Sequence, residues 1–229
     1  IVILSISERL SYAVENGWIP VVDWENYGPF AHGEEYPIHG TTNCWEYYWN
    51  QPSEYSLEEV YQSKNVILSS QNSVSYGFIP GNAITPPLNK YAERLVNSCP
   101  KYDSLITLNE HTKEYIENFE KELFKADERI LGVSVRGVSY GSKNLANHPK
   151  QPKIQELILR INTVLEEWQI DKIFFACELD TLVQIMKETY GDKLITLPRM
   201  RYSVQPTAEN DPLYIPGQKY QTNLDYLTE

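Results

Sequence analysis

Residues 172–197, KIFFACELDTLVQIMKETYGDKLITL, decide the fold, because two apolar runs enclose one amphipathic run. KIFFACE (172–178) and KLITL (193–197) have the apolar character of buried strands. Between them, DTLVQIMKETY repeats its apolar residues at helical spacing, and Asp180 is predicted to cap that helix. Strand, helix and strand in this order are typical of a βαβ unit on a parallel sheet.

The same alternation extends upstream of this stretch. RILGVSVRG (129–137) predicts a strand, and PKIQELILRINTVLEEW (152–168) predicts a helix with Pro152 in its first turn. Asn109 is a suitable N-cap for the amphipathic run NEHTKEYIENFEKELF. We therefore predict a Rossmann-like α/β domain over residues 109–229.

The first half, residues 1–108, predicts a second α/β domain with a mostly parallel sheet. It contains an aromatic-rich insertion between Trp24 and Gln51. The two halves together predict two domains that meet near residue 108. The predicted elements of the first half are a helix ending at Gly17, a strand at 18–23, a short helix at 56–63 and a strand at 65–70.

Composition excludes several classes of protein. The 229 residues carry a formal charge of -11, which argues against a nucleic-acid partner. Cys44, Cys99 and Cys177 lack the spacing of a metal site, and we interpret them as reduced thiols. No apolar run approaches the roughly 20 residues of a transmembrane helix, and no signal peptide is visible. We expect a cytoplasmic enzyme.

Both ends of the sequence fall within amphipathic helical patterns. The chain begins at Ile1 inside one such pattern and stops at Glu229 just after TNLDYLTE has established another. We therefore interpret it as a fragment whose C-terminal part is incomplete.

Arg136 is the strongest candidate for a functional residue. It lies at the end of the predicted strand 129–137, and ligands of open parallel sheets bind beyond the carboxyl ends of strands. A guanidinium group fits the oxygens of a diphosphate, and Gly137 would let a backbone approach closely. The alternative is a strand-end arginine that only pairs with an acidic neighbour.

Several of these segments resemble the α1,6-fucosyltransferase-like superfamily, which includes O-fucosyltransferases. They are ILGVSVRG (130–137), the dipeptide HP at 148–149, and KIFFACELDTLVQIMKETYGDKLI (172–195). NGWIPVVDWENY and CWEYYWNQPSEYSLEEVYQSKNVILSS resemble a bacterial branch associated with polysaccharide or lipopolysaccharide synthesis. The resemblance implies a GT-B glycosyltransferase that takes a GDP-sugar donor, needs no metal or other cofactor, and acts on a saccharide or lipid-linked saccharide. A lipid-linked acceptor is compatible with peripheral membrane association.

The resemblance also implies roles for individual residues. Arg136 matches the arginine that contacts the donor diphosphate, and His148 matches a histidine at the end of the same loop. These two are the candidate catalytic residues. Glu178 falls near the nucleoside, where a carboxylate can accept hydrogen bonds from ribose or guanine. The predicted donor-binding residues are Arg136, Gly137, Ser139, Tyr140, Asn144, Glu178 and Asp180, and the acceptor-side residues are Asp23, Trp45 and Tyr48.

The sequence departs from the family pattern around Arg136. Family members commonly carry a histidine, a second arginine and an aspartate where Ser134, Gly137 and Ser139 stand here. The general base is therefore open between His148, which alternatively serves as a loop hydrogen-bonding group, and a carboxylate of the first half such as Asp23.

The aromatic cluster around Trp45 and Tyr48 is equally open between a sugar-stacking platform and core packing. Two further hypotheses for the whole chain are a degenerate relative that binds nucleotide or glycan without catalysis, and an unrelated nucleotide-binding α/β enzyme. Against the latter, neither GxGxxG nor GxxxxGK[ST] occurs at a strand-to-helix junction.

Overall fold

The chain is described here by a computed structural model. It divides into two compact units, Ile1–Lys113 and Glu114–Glu229. The GT-B arrangement and the assignment of an acceptor-side domain (1–108) and a nucleotide-sugar domain (109–229) stay predictions. The structure describes residues 2–26, 33–69, 104–135, 152–203 and 215–229.

The described part of the second unit contains a parallel sheet of three strands in the order β1-β2-β3. Strand β1 (Ile130–Val135) pairs in register with β2 (Lys172–Cys177), and β2 pairs with the short β3 (Leu194–Ile195). Helix α4 (Ile154–Trp168) precedes β2, and α5 (Asp180–Tyr190) joins β2 to β3. The predicted alternation of parallel strands and helices is confirmed, with a third strand shorter than predicted.

The core of this unit forms where α4 and α5 cover the sheet. Ile173 and Phe175 of β2 are 0 % exposed, because alternate residues of a strand point to the same face. Ile161 of α4 and Val183 and Met186 of α5 belong to the same buried cluster. Full burial of each such side chain stabilises the fold by about 1.5–3 kcal/mol, so this apolar layer fixes the positions at which the strands end.

Helix α4 begins later than the sequence suggests. Its first helical residue is Ile154 and its N-cap is Lys153, so Pro152 lies just before the helix and not in its first turn. Helix α4 ends at its C-cap Gln169, whose backbone is left-handed with a φ of 52°. Proline is compatible with this place because, outside the helix, its missing N–H removes no intrahelical hydrogen bond.

Helix α3 (Glu110–Leu123) is preceded by Asn109, which caps it as predicted. The Asn109 side chain accepts a hydrogen bond from the backbone N–H of Thr112 at 2.9 Å, which satisfies one of the free amide groups of the first turn. In the second unit, α3 is linked to α6 (Lys219–Thr228) by the Tyr115 hydroxyl, which donates to Asp225 at 2.8 Å.

The helices of the first unit also start and stop at recognisable signals. Helix α1 (Val2–Glu15) ends at Gly17, whose φ of 70° is left-handed, and Trp18 donates its backbone N–H to Ala13 at 2.8 Å. The short helix α2 (Leu57–Gln62) starts with a capping box formed by Ser56 and Glu59. Both predictions are confirmed.

The two predicted strands of the first half are wrong in the part that the structure describes. Residues 18–23 and 65–68 are in neither a strand nor a helix, and Ser69 lies in a turn. Val22 instead binds the side-chain amide of Gln51, donating its N–H at 2.9 Å and accepting at its carbonyl at 2.9 Å. The Asn43 side-chain amide likewise accepts from the Trp24 N–H and donates to the Val22 carbonyl. Side-chain amides thus bind the backbone groups that a neighbouring strand would otherwise bind.

Candidate functional site

The carboxyl ends of β1 and β2 lie at one level of the sheet. Val135, the last residue of β1, is the register partner of Cys177, the last residue of β2. The next residues in the sequence are Arg136 and Glu178. The other predicted loop residues, Gly137, Ser139, Tyr140, Asn144 and His148, lie with Arg136 outside the described residues.

Glu178 lies in a turn whose backbone is held from the side. Tyr202 donates its N–H to the Glu178 carbonyl at 2.8 Å, and Asp180 donates its N–H to the Tyr202 carbonyl at 3.0 Å. Leu179 and Tyr202 thereby form a parallel bridge. The segment around Tyr202 prolongs the hydrogen-bonded edge beyond the end of β2, and the half-buried Glu178 is part of that edge.

Asp180 is not the helix cap that the sequence predicts. Leu179 is the N-cap of α5, and Asp180 is the first helical residue. The reason is that the Leu179 carbonyl accepts the first intrahelical hydrogen bond, from the Val183 N–H at 3.2 Å, while the Asp180 N–H donates to the Tyr202 carbonyl. Its carboxylate accepts a bond from Gln184 at 3.5 Å, and an acidic group in a first turn is also favourable to the helix dipole.

Two arginines and one glutamate form a buried ion cluster beside Cys177, which we name the arginine clamp (Arg199, Arg201 and Glu229). Their side chains are 3 %, 7 % and 5 % exposed. Arg199 binds the Glu229 carboxylate through Nε, at 2.7 Å, and through Nη2. Arg201 Nη2 donates to Glu229 at 3.3 Å and to the Leu197 carbonyl at 2.9 Å. Arg199 Nη2 and Arg201 Nε each donate to the Cys177 carbonyl at 3.2 Å.

The clamp carries one positive charge in excess. Burial acts to lower the pKa of Arg199, but the hydrogen bond and charge of Glu229 raise it above its ordinary value. Burial and repulsion from Arg199 lower the pKa of Arg201. Both guanidinium groups nevertheless stay charged, because arginine keeps its proton in proteins. Glu178 and Asp180 lie at the same carboxyl edge of β2, and their carboxylates offset this excess charge.

Two further side chains complete the surroundings of the clamp. The Arg199 guanidinium carbon lies 4.5 Å from the ring centroid of Tyr226. Burial raises the pKa of Tyr226, and the charge of Glu178 adds to the rise, which places the Glu178 carboxylate within electrostatic range of the phenol. Burial also raises the pKa of the Cys177 thiol. A protonated, buried thiol is a packing group and a poor nucleophile.

Structural comparison relates this arrangement to known enzymes. A structure of the α1,6-fucosyltransferase NodZ soaked with GDP-fucose matches 98 % of this chain and 77 % of its own, with a TM-score of 0.54 and 15 % identity. NodZ co-crystallised with GDP matches over the same shares, with a TM-score of 0.51 and 14 % identity. NodZ from Bradyrhizobium gives a TM-score of 0.51 at 13 % identity, over 98 % of this chain and 78 % of its own.

The chain has a fucosyltransferase-like fold. In sequence, no protein-family model matches it and no curated protein matches it. Among the described helices, none is both long and apolar enough to cross a membrane. The described residues also contain no cluster of three or more His, Cys, Asp or Glu side chains suited to hold a metal ion.

In the first unit, the Asp23 carboxylate is engaged in local structure. It accepts hydrogen bonds from the backbone N–H groups of Glu25 at 3.1 Å and Asn26 at 2.9 Å, and from the Tyr61 hydroxyl. This is an Asx-type turn, in which the Asp23 carboxylate stabilises the local backbone. The Tyr61 contact also ties α2 to the turn.

The other predicted acceptor-side residues are buried in the first unit. Trp45 is 0 % exposed and Tyr48 is 4 % exposed. The Trp45 ring stacks on Trp49 at 4.8 Å and meets Trp24 edge-on at 5.3 Å, and its Nε1 donates to the Asn50 carbonyl at 2.9 Å. Covered rings offer no face to a sugar, so this burial supports the core-packing interpretation.

Sequence reasoning missed the arginine clamp. Arg199 and Arg201 are two residues apart just after β3, and this spacing puts both side chains on the same side of an extended chain. Two such arginines after a strand of an acidic α/β chain were an available signal. Their partner Glu229 is 28 to 30 residues further on, at the C-cap of α6, and nothing in the local pattern identifies it.

Proposed function

We propose that this chain is a glycosyltransferase that transfers fucose from GDP-fucose to a saccharide acceptor. The observation that carries the proposal is the sheet edge: β1 and β2 end in register, and Arg136 and Glu178 follow them in the sequence. Ligands of open α/β sheets bind at this edge. The proposal is further supported by the fold, which resembles a fucosyltransferase whose structures were obtained with GDP and GDP-fucose.

In the proposed reaction, an acceptor hydroxyl oxygen attacks the anomeric carbon of fucose. The bond from that carbon to the β-phosphate oxygen breaks, and GDP leaves with the bonding electrons. Arg136 stabilises the charge that develops on the diphosphate, a role that a guanidinium fills without a metal. The hydroxyl proton goes to a general base, for which His148 is the candidate because an imidazole accepts a proton near neutral pH. Attack from the side opposite GDP inverts the anomeric centre.

We propose that Glu178 binds the nucleoside of the donor. A carboxylate has only acceptor oxygens, and guanine presents adjacent N–H donors on one edge. Asp180, at the first turn of α5, lies next to the same edge. Gly137, Ser139, Tyr140 and Asn144 belong to the loop between β1 and α4, and we propose that they complete the diphosphate pocket.

The wider setting is proposed from the resemblance. We place the reaction in the cytoplasm of a bacterium, in the synthesis of a cell-surface polysaccharide or lipopolysaccharide. A lipid-linked acceptor would bring the protein to the inner face of the membrane, where it would bind peripherally.

A second candidate function is binding of GDP or a glycan without transfer. It is favoured by one observation, that no Asp or Glu lies between Arg136 and His148. Binding of GDP-fucose without release of GDP, in the presence of a panel of oligosaccharides, would support this candidate.

The test of transfer measures GDP release. Wild type, Arg136→Ala and the control Arg160→Ala, an exposed arginine of α4, are incubated with GDP-fucose and saccharide acceptors. We expect acceptor-dependent GDP release from wild type and the control, and a loss of about a hundredfold or more with Arg136→Ala, which is typical for removal of a charge-stabilising donor. Equal release from all three proteins would refute the role of Arg136.

A further inference from the structure

The arginine clamp is connected directly to the backbone of Glu178. Arg199 and Arg201 both donate to the carbonyl of Cys177, which shares a peptide group with the Glu178 nitrogen. The carbonyl of Glu178 itself accepts from Tyr202, in the same segment as the arginines. Both peptide planes of Glu178 are therefore fixed by residues 199–202.

Glu229 fixes the arginines in turn. Its two carboxylate oxygens divide between them, with Oε2 on Arg199 and Oε1 on Arg201. Planar guanidinium groups that bind in this way have little freedom of rotation. The C-terminal end of α6 thereby sets the position of a turn that is distant in sequence.

A purely structural role does not require such a cluster. Burial of ion pairs costs desolvation energy that their attraction only partly offsets, and apolar side chains of similar volume often stabilise a fold as well or better. A fully hydrogen-bonded buried network instead specifies one geometry. The residue whose backbone geometry it specifies here is Glu178, a half-buried residue at the edge where the nucleoside is proposed to bind.

We propose that the arginine clamp positions the Glu178 carboxylate against guanine, and so determines the preference for GDP over other nucleoside diphosphates. This inference rests on the proposed function. Adenine presents an acceptor where guanine presents its ring N–H, so a carboxylate held in place binds one base and repels the other. A carboxylate that shifts by a fraction of a hydrogen-bond length loses both the attraction to guanine and the repulsion of adenine, since hydrogen bonds weaken steeply with poor geometry.

The experiment compares dissociation constants for GDP and ADP by calorimetry in wild type, Arg201→Lys, Glu178→Ala and the double variant. Arg201 donates to four acceptors, the carbonyls of Cys177, Leu197 and Arg199 and the Glu229 carboxylate. Lysine keeps the charge of Arg201 but cannot reach all four at once. The control is Arg160→Lys, on the exposed face of α4. Thermal unfolding is recorded for each protein, and Arg199→Lys replaces Arg201→Lys if the latter does not fold.

We expect Arg201→Lys to reduce the ratio of the ADP and GDP dissociation constants about tenfold, which corresponds to about 1.4 kcal/mol. We expect the same reduction from Glu178→Ala, and no further reduction in the double variant, because the arginine acts through Glu178. A general loss of stability would weaken GDP and ADP alike and leave the ratio unchanged.

The outcomes separate the inference from the proposed function. Absence of GDP binding in wild type overturns both. GDP selectivity that depends on Glu178 but not on Arg201, or effects of the two substitutions that add fully in the double variant, overturns the positioning role and leaves the proposed function standing. Selectivity that is unchanged by Glu178→Ala also overturns the inference.

Discussion

Replacement of Asn43 by alanine tests how side-chain amides hold the backbone at Val22 and Trp24. Asn43 is 1 % exposed. Its Oδ1 accepts from the backbone N–H of Trp24 at 2.9 Å and of Trp45 at 3.3 Å, and its Nδ2 donates to the Val22 carbonyl at 2.8 Å and to Glu46 at 3.2 Å. One amide thus serves four partners.

The cost of Asn43→Ala follows from which partners keep a second hydrogen bond. The Val22 carbonyl and Glu46 Oε1 are both bound by Gln51 Nε2, at 2.9 and 2.7 Å, and lose little. The N–H groups of Trp24 and Trp45 lose this acceptor, at about 1 kcal/mol each, and the vacated volume adds about 1 kcal/mol. We expect the free energy of unfolding to fall by about 3 kcal/mol.

Urea denaturation followed by tryptophan fluorescence measures this change. Of the five tryptophans, Trp168 is the only one in the second unit, and it is exposed, so a Trp168→Phe background makes the signal report on the first unit. The control is the exposed Asn65→Ala, for which we expect a change within about 0.5 kcal/mol. A loss below about 1 kcal/mol for Asn43→Ala would refute the conclusion that its amide replaces a strand.

Two further predictions concern titratable side chains. Burial and the stacked neighbour His111, 3.9 Å away, lower the pKa of His39, so the unfolded chain binds this proton more tightly and stability should fall as the pH drops below about 6.5. Asparagine is compatible with the φ of 51° at this position. We expect His39→Asn to make the urea midpoint depend less on pH below about 6.5. An unchanged slope would contradict the assignment. Burial and the hydrogen bond to Asp225 raise the pKa of Tyr115 to about 12. Tyr115→Phe should cost the second unit about 1 kcal/mol by circular dichroism, and no loss would show that the bond to Asp225 adds no stability.

The second unit could be predicted from sequence because its signals are local. Residues 172–197 switch from apolar run to helical spacing and back, and Gly191 marks the turn between α5 and β3. Burial of both faces of a parallel sheet requires such apolar runs, so the pattern and the fold have the same cause. Only the ends differ: Pro152 lies just before α4, and Leu179 instead of Asp180 is the N-cap of α5.

The first unit was harder to predict for a physical reason. Residues 18–23 and 65–69 are as apolar and β-branched as real strands, but strand pairing depends on a neighbour that local sequence does not specify. Asn43 and Gln51, which bind the backbone at Val22, were not distinguishable from other polar residues of the aromatic-rich insertion. The arginine clamp escaped prediction in the same way, because its carboxylate, at the C-cap of α6, is distant in sequence from the two arginines.

The central claim, that a GDP-sugar binds at the carboxyl edge of the sheet through Arg136, is tested most directly by calorimetric titration with GDP, ADP and UDP. Wild type, Arg136→Ala and the control Arg160→Ala are compared. We predict that wild type and the control bind GDP in preference to ADP and UDP, and that Arg136→Ala binds GDP at least tenfold more weakly. No binding, or binding of GDP that is indifferent to Arg136, would contradict the claim.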